Sequence, residues 1–407
     1  MNKFLLTVCL LSSINAFTQT GKVGIGTTNP QAMLHVADSA VLFTGPLNLP
    51  GPTPYNPPAS GPGSRMMWYP QKAAFRVGIV NDNSWDKDSI GRFSFATGFN
   101  TKALGDGSFA SGNGAIARGI NSISMGNNTN ASGINATSLG YFTTANADFA
   151  TSLGVNTNAS GSGTTSLGVG TIASGYIATS IGNYTNAIGD YSTATGNHTI
   201  ARSSNSFVIG KYNDSSNINR LFEIGNGIAE NARSNALTVL TNGNAGFGTT
   251  APQARLHVAD SAVLFTGPLN LPGPTPYNPP ASGPGSRMMW YPQKAAFRVG
   301  TVDDNSWDKD SIGIYSFATG FGTKAVGQNS FAVGGYSRAS GYNSTSMGNT
   351  SNAEGDVSTS MGGATKATGY ASTSMGYYTN ATGDYSTSMG GATKATGYAS
   401  TTMGSFT

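Results

Sequence analysis

Three histidines are the side chains best suited to metal binding or proton transfer: His35, His198 and His257. None has an acidic or sulfur residue at ligand spacing, so the sequence predicts no metal site around them. The acidic pair in WDKDS, Asp86 and Asp88, has no histidine or nucleophile partner that would make it a catalytic group. We therefore expect structural roles for all five residues, the acidic ones in a turn or a surface salt bridge.

Two further patterns also fall short of a chemical site. The glycines of GIG, Gly24 and Gly26, lack the third glycine and the helix of a dinucleotide-binding loop. The 22 basic and 18 acidic residues are spread thinly, with no basic cluster interleaved with aromatics. The sequence predicts a protein that is not an enzyme, takes no cofactor and binds no nucleic acid.

The N-terminus has the layout of a secretory signal peptide. Lys3 precedes an apolar run, Phe4 to Leu11, and small residues follow, so cleavage is expected near Ala16 or Thr18. The run is too short to span a membrane, and no other segment is a candidate for a direct membrane span. Cys9, the only cysteine, would leave with the signal peptide, so no disulfide is expected. The predicted location is secreted or on a bacterial cell surface.

The rest of the chain is a tandem duplication. The segment that begins PQAMLHVADSAVLFTGP recurs almost unchanged, and Trp85 returns as Trp307, 222 positions later. In each copy a Pro-rich passage excludes helix and central strand. RMMWYPQKAAFRVGIV and NSWDKDSIG follow, which we interpret as strands joined by an Asn/Asp turn. We interpret this part as a small β adaptor that shields the end of the array behind it.

The array has a period of 14 residues and is low in charge, with 10% charged residues against about 25% in ordinary domains. Motifs such as ATSLG alternate with weaker ones such as TNASG, so each coil should contain two short strands. The alternative is a flexible, low-complexity chain. A disordered chain has no reason to keep its glycines at an exact 14-residue spacing, and neither run contains an insertion. The glycines that close the stronger motif are Gly98, Gly112, Gly126, Gly140, Gly154, Gly168, Gly182, Gly196 and Gly210, then Gly320, Gly334, Gly348, Gly362, Gly376, Gly390 and Gly404.

Strand alternation divides these motifs into two faces. In the weaker motif, alanines such as Ala103 and Ala131 are expected inside, and glycine is expected to form the turns through positive φ angles. In the stronger motif an apolar column could fill the roll or an axis shared between chains, and we favour the roll interior. Its members include Leu139, Leu153, Leu167, Ile181, Met361, Met375 and Met389. A roll this thin buries little apolar surface, which favours lateral association of several rolls.

These motifs, above all SISMG…NASGINATSLG, resemble the YadA-like head repeats of trimeric autotransporter adhesins. The resemblance covers residues 94–210 and 316–404. It implies a left-handed parallel β-roll, an all-β solenoid, assembled as a homotrimer that adheres to a host, matrix or glycan ligand. The adaptor and the segment after Gly210 are similar to fibre proteins of Bacteroidota-type bacteria and their phages. No heptad-patterned stalk or membrane-barrel strand follows, which departs from the family.

The resulting domain interpretation assigns 1–18 to the signal peptide, 19–92 to the first adaptor, 93–210 to the first head roll, 211–250 to a neck, 251–314 to the second adaptor, and 315–407 to a second head roll that looks truncated. The leading functional hypothesis is a surface adhesin or fibre head that binds through repeated contacts. The alternatives are a phage-like tail fibre or receptor-binding shaft and, third, an ice-binding solenoid. The third rests on the ladder of Thr137, Thr151, Thr165, Thr179 and Thr193, which we expect to be buried beside the Leu/Met column.

Overall fold

The computed structural model describes residues 21–38, 40–49, 55–268 and 278–407, so the predicted signal peptide lies outside the described residues. The chain divides into two compact units, Met1–Ala262 and Val263–Thr407, and each contains one β-roll. The described residues form strands and single-turn 3₁₀ helices only. The prediction of an all-β solenoid with 14-residue coils is confirmed.

Each coil consists of one five-residue strand and one two-residue strand, here called the long and the short strand. Every strand pairs in parallel with its counterpart one coil away, so that Thr137 faces Thr151 and Leu139 faces Leu153. Because each coil repeats similar residue types, this register places residues of the same type opposite each other in neighbouring coils. The long strands stack into one sheet and the short strands into another.

The strand bounds follow the period in both rolls. The long strands of the first roll are Phe95–Phe99, Phe109–Asn113, Ile123–Asn127, Thr137–Tyr141, Thr151–Val155, Thr165–Val169, Thr179–Asn183, Thr193–Asn197 and Phe207–Lys211. Its short strands are Lys102–Ala103, Ile116–Ala117, Asn130–Ala131, Thr144–Ala145, Asn158–Ala159, Ile172–Ala173, Asn186–Ala187 and Ile200–Ala201. The long strands of the second roll are Phe317–Phe321, Phe331–Gly335, Thr345–Asn349, Thr359–Gly363, Thr373–Tyr377, Thr387–Gly391 and Thr401–Ser405. Its short strands are Lys324–Ala325, Arg338–Ala339, Asn352–Ala353, Lys366–Ala367, Asn380–Ala381 and Lys394–Ala395.

The inside of each roll is lined by small side chains. The short-strand alanines, such as Ala131 and Ala145, are fully buried, as the sequence predicts. From the long strand it is Ser138 that points inward, where its Oγ lies 2.8 Å from Oγ1 of Thr143 across the coil. One serine–threonine pair therefore spans the interior, and the same pairing recurs at Ser152.

The expectation that the Leu/Met column fills the roll is wrong. Leu139 and Leu153 lie on the outer side of the long strands and are only partly buried, while Leu167 and Ile181 keep 41% and 38% of their surface exposed. The reason is the width of the roll, because an interior spanned by two hydroxyl side chains has no room for leucine or methionine. The threonine ladder that contains Thr137 shares this outer face and is half-buried, not enclosed.

The sixteen repeat glycines lie at the fourth position of the long strands, with φ between +95° and +129°. A Cβ built on Gly140 would lie 2.0 Å from the carbonyl oxygen of Gly154 in the next coil, so the backbones approach too closely for any side chain. The prediction that these glycines form the corners is wrong. Left-handed residues such as Phe142 and Phe149 turn the chain there, at φ +53° and +60°.

Each roll begins at an antiparallel hairpin of the adaptor. The hairpin strands are Gly63–Tyr69 and Ala74–Val80 in the first copy and Gly285–Tyr291 and Ala296–Val302 in the second. The 3₁₀ turns Pro70–Lys72 and Pro292–Lys294 join them. NSWDKDSIG is not a strand, contrary to our interpretation, because it contains the 3₁₀ turn Lys87–Ser89, repeated at Lys309–Ser311. Two short strands, Val23–Ile25 and Leu34–Val36, precede the first hairpin as a separate parallel pair.

Two buried side chains of the adaptor close the starting end of the first roll. Arg76 pairs in register with Ala96. Its guanidinium fills the place that a preceding coil would take and donates to the carbonyl oxygens of Ser94 and Ala103, both at 3.0 Å. Burial lowers the pKa of Arg76 to about 10, which still leaves it charged at neutral pH. The indole of Trp85 is also fully buried and donates to the Thr101 carbonyl at 2.9 Å.

We call this pair of buried side chains the plug. The second unit has an equivalent plug, in which Arg298 and Trp307 make the same bonds to the first coil of their own roll. At the far end of the first roll the long-strand sheet continues through the neck strands Arg220–Asn226, Asn235–Leu240 and Ala245–Phe247 and ends at Leu256–Val258, at the start of the second adaptor. Buried Arg220 pairs there with Asp214 at 2.8 Å and with Glu223 at 3.2 Å.

Candidate functional surfaces

The histidines have the structural roles expected for them. In the adaptor, Nδ1 of His35 accepts a hydrogen bond from the backbone of Gln31, and the duplicate His257 makes the same contact. His198 stacks between Tyr184 and Tyr212 at ring distances of 5.0 and 4.6 Å. In the described part of the chain, no group of three or more His, Cys, Asp or Glu side chains is placed to hold a metal ion.

The acidic segment WDKDS supports the adaptor. Asp86 lies just before the 3₁₀ turn Lys87–Ser89 and accepts a hydrogen bond from Gly61 N at 2.6 Å, which ties the end of the Pro-rich passage to the segment that follows the hairpin. Lys72 donates to the carbonyl oxygens of Lys87 and Ile90, and burial lowers its pKa. These contacts form a brace within the adaptor and bring no nucleophile to the carboxylates.

The outer side of the long strands forms an extended, largely apolar surface on each roll, and we call it the long-strand face. It carries a column of Thr or Phe and, two residues along each strand, the Leu/Met column. The predicted column residues lie in it as Leu139, Leu153, Leu167 and Ile181 in the first roll and Met361, Met375 and Met389 in the second. Because the register is unshifted, these side chains form straight, half-exposed apolar rows.

The long-strand face continues onto the adaptor. Trp68 pairs with Phe75, and Phe75 with Phe95, so that aromatic rings extend the outer threonine column. The rings of Phe75 and Phe95 stack at 5.5 Å, and those of Phe95 and Phe109 at 5.1 Å. Beside them Met66, 72% exposed, extends the Leu/Met column through its partner Val77.

An apolar groove lies at this end of the face. It has a volume of about 410 Å³ and is lined by Val41, Leu42, Phe43, Met66, Trp68 and Phe75. A second groove beside the first hairpin, about 350 Å³ in volume around Pro58 and Trp68, recurs in the second adaptor as a groove of about 390 Å³ around Pro280 and Trp290. Isolated exposed apolar residues are ordinary, but long contiguous apolar strips mark interaction surfaces. The long-strand face with its groove has the character of an interface.

The outer side of the short strands is more polar. It carries Ile116, Asn130, Thr144 and Asn158 in the first roll, while the second roll has a column of basic and amide side chains. That column consists of Lys324, Arg338, Asn352, Lys366, Asn380 and Lys394. Lys324 is paired with Asp304 at 2.9 Å and Lys366 with Glu354 at 3.4 Å. The short-strand side therefore offers water more hydrogen-bonding groups than the long-strand face does.

Sequence reasoning predicted an adaptor that shields the end of the array, but it missed the residues that close this end, Arg76 and Trp85, and it missed the interior serines. The sequence does contain a signal for both. At the strand position that Arg76 occupies, the following coils carry small residues such as Ala96 and Ser138, while the positions on either side of it carry larger ones. A column of small residues between two columns of larger residues marks the side of the strand that faces inward. Apolar character alone predicts the opposite face, because it takes no account of the space inside the roll.

Comparison with known proteins supports the same repeat. The family model of the YadA head domain repeat (2 copies) matches residues 89–115, 117–143, 131–157, 173–199, 187–212, 311–337, 339–364 and 381–407. All eight matches lie in the rolls and their immediate junctions. No curated protein matches the chain as a whole. No helix among the described residues has the length and apolar character needed to cross a membrane.

Proposed function

Because its repeats make this chain a YadA-like head repeat protein, we propose that it is a surface-exposed bacterial adhesin that works as a homotrimer. The family is a structural one and not a family of enzymes. The observation that carries the proposal is the long-strand face, a straight apolar surface on a roll whose interior is already full. Such a face is costly to leave in water, and covering it with the same face of further copies removes that cost.

The register explains why self-association suits this surface. Like apolar side chains recur over several successive coils, so two copies in matching register bring Leu153 and Leu167 of one chain against the same column of the next. A closed ring of three chains with equivalent contacts covers the long-strand face of every chain and leaves no such face exposed to recruit a further copy. The number three comes from the family resemblance.

Attachment then takes place on the surfaces left outside the trimer. The short-strand side and the corners repeat every 14 residues, so one trimer presents many copies of each weak contact. Linked weak contacts give high avidity without a deep pocket. In this scheme the predicted signal peptide directs export, the adaptors close the rolls, and the neck ends the first roll.

The experiment measures the mass of the exported chain by light scattering and its adhesion to immobilised matrix proteins, glycans and cells. We expect a trimer that adheres. The double variant Leu153→Glu/Leu167→Glu should be monomeric and lose avidity, since it places charges in the interface. The matched control Asn158→Glu/Asn186→Glu, on the short-strand side, should stay trimeric. A monomeric wild-type chain, or a trimer that adheres to nothing tested, refutes the proposal.

A further inference from the structure

Tyrosine and aspartate alternate along one corner of the second roll. The corner that leads from each short strand into the next long strand carries Tyr342, Asp356, Tyr370, Asp384 and Tyr398 at intervals of 14 residues. The five side chains are exposed, and Tyr398 keeps 76% of its surface in contact with solvent. Together with Tyr385, whose ring stands between two of them, we call these residues the tyrosine edge.

Three rings of the tyrosine edge, those of Tyr370, Tyr385 and Tyr398, form a ladder. Tyr385 packs edge-on against Tyr370 and against Tyr398, with ring centres 5.4 Å apart in both pairs. Coils stack at about 4.8 Å, so Tyr370 and Tyr398, two coils apart, stand roughly 9.6 Å from one another. The backbone beneath is fixed, because Tyr385 N donates to the Tyr370 carbonyl at 2.7 Å. The ladder is therefore a preformed platform.

The aspartates supply hydrogen-bond acceptors between the rings. Oδ1 of Asp356 accepts from Tyr342 N and Oδ1 of Asp384 from Tyr370 N, both at 2.8 Å, which orients the carboxylates along the edge. Within the described residues, Oδ2 of each has no protein partner. Neither the residues of this column nor their neighbours at the turn include a lysine or arginine. The edge thus repels anions and favours ligands that donate hydrogen bonds.

We propose that the tyrosine edge binds a linear, uncharged polysaccharide, with pyranose rings lying against the tyrosines and sugar hydroxyls donating to the free aspartate oxygens. An aromatic ring offers an apolar face to the C–H side of a sugar, and its hydroxyl remains available to water or ligand. The two-coil spacing of the tyrosines is comparable with the disaccharide repeat of an extended glycan. The ligand class deepens the proposed function and rests on it.

The corner is separate from the surface assigned to self-association. The long-strand face begins at the residue that follows the buried serine, for example Thr373 after Ser372, whereas Tyr370 lies before that serine. The edge therefore stays open when the long-strand face is covered. The opposite corner offers a control, since Tyr336 and Tyr378 are 50% and 56% exposed but stand three coils apart, with only threonine and alanine between them in their column. Asp303 of the adaptor accepts a hydrogen bond from the Tyr336 hydroxyl at 3.4 Å, but no aspartate alternates with these two rings as it does along the tyrosine edge.

The experiment titrates the full exported chain with cellohexaose, xylohexaose and mannohexaose, and with a heparin hexasaccharide as the anionic comparison, by isothermal calorimetry. We expect at least one neutral hexasaccharide to bind and heparin not to bind. Tyr370→Ala/Tyr398→Ala should weaken binding about tenfold or more. The control Tyr336→Ala/Tyr378→Ala should bind as the wild type does, and both variants should keep the wild-type mass.

Three results overturn the proposal: binding of heparin alone, equal affinity in the Tyr370→Ala/Tyr398→Ala variant, or no hexasaccharide binding by a chain that adheres to cells. In the last case the adhesin function stands and only the ligand class falls. A chain that binds a neutral hexasaccharide through Tyr370 and Tyr398 without adhering to cells supports the tyrosine edge and refutes the wider function. A chain that does neither refutes both.

Discussion

Two adjacent glycines of one strand offer a direct test of how closely the coils pack. Gly334 and Gly335 end the long strand Phe331–Gly335. Gly334 has φ +114°, and a Cβ on it would lie 2.1 Å from the carbonyl oxygen of Gly348. Gly335 has no left-handed φ, and its Cβ would come no nearer than 3.7 Å, to the side-chain oxygen of Asn349.

Gly334→Ala should therefore be severely destabilising. Forcing a Cβ into this backbone region costs about 1–3 kcal/mol. The oxygen in its path belongs to a strand held on both sides, so the clash is relieved only by breaking ladder hydrogen bonds worth about 0.5–1.5 kcal/mol each. With two bonds lost, the free energy of unfolding should fall by roughly 2–6 kcal/mol. Gly335→Ala should be neutral or stabilise by about 0.4–1 kcal/mol, since it restricts only the unfolded chain.

The assay is urea unfolding of the full chain followed by circular dichroism, with amide hydrogen exchange to locate the effect. Solenoids can unfold in parts, so exchange in the coils on either side of Gly334 is the decisive reading. Faster exchange confined to those coils in Gly334→Ala, and unchanged exchange in Gly335→Ala, is the expected pattern. Equal effects from the two substitutions would show that the coils are not in backbone contact at the glycine column.

Three other substitutions test the plug, the interior and the neck. Arg76→Met leaves buried carbonyl oxygens unpaired and should cost about 3 kcal/mol in urea unfolding, while exposed Arg92→Met should change stability by less than about 0.5 kcal/mol. Ser138→Leu overfills the roll and should cost roughly 1–3 kcal/mol, whereas Ser138→Ala should cost only about 1 kcal/mol. Burial raises the pKa of Glu223 above its ordinary 4.5 despite its pairing with Arg220, so the native neck binds a proton more readily than the unfolded chain and should lose stability as pH rises above 4.5. Glu223→Gln should remove this slope from hydrogen exchange in the neck, and a slope that persists would assign it to another group.

The period, the parallel register and the pairing of like residues could be predicted from the sequence, because a 14-residue repeat leaves one way to stack. The inward alanines of the short strands, such as Ala145, followed from strand alternation. What alternation cannot supply is which side of the long strand faces inward. Its apolar character predicts that Leu139 lies inside the roll, yet the serine–threonine contact across the coil shows that only small side chains fit there.

The glycines illustrate a second limit. Glycine at every fourteenth position predicts that no side chain is tolerated there, and chain corners are where such glycines are most often found. In the structure, the corners accept Phe142, Tyr385 and other bulky residues, since these side chains point into solvent and the corner amide bonds to the coil below. The constraint on Gly140 arises from a neighbouring backbone that is distant in sequence.

The plugs formed by Arg76 and Arg298 have a consequence for how such a gene can change length. Each roll carries its own starting plug, built from the adaptor that precedes it and not from the roll before. Recombination between the two near-identical segments that start at Pro30 and Pro252 would add or remove one whole module, and every product would still begin each of its rolls with a closed end. Length can thus vary between generations without leaving the starting end of any roll uncovered.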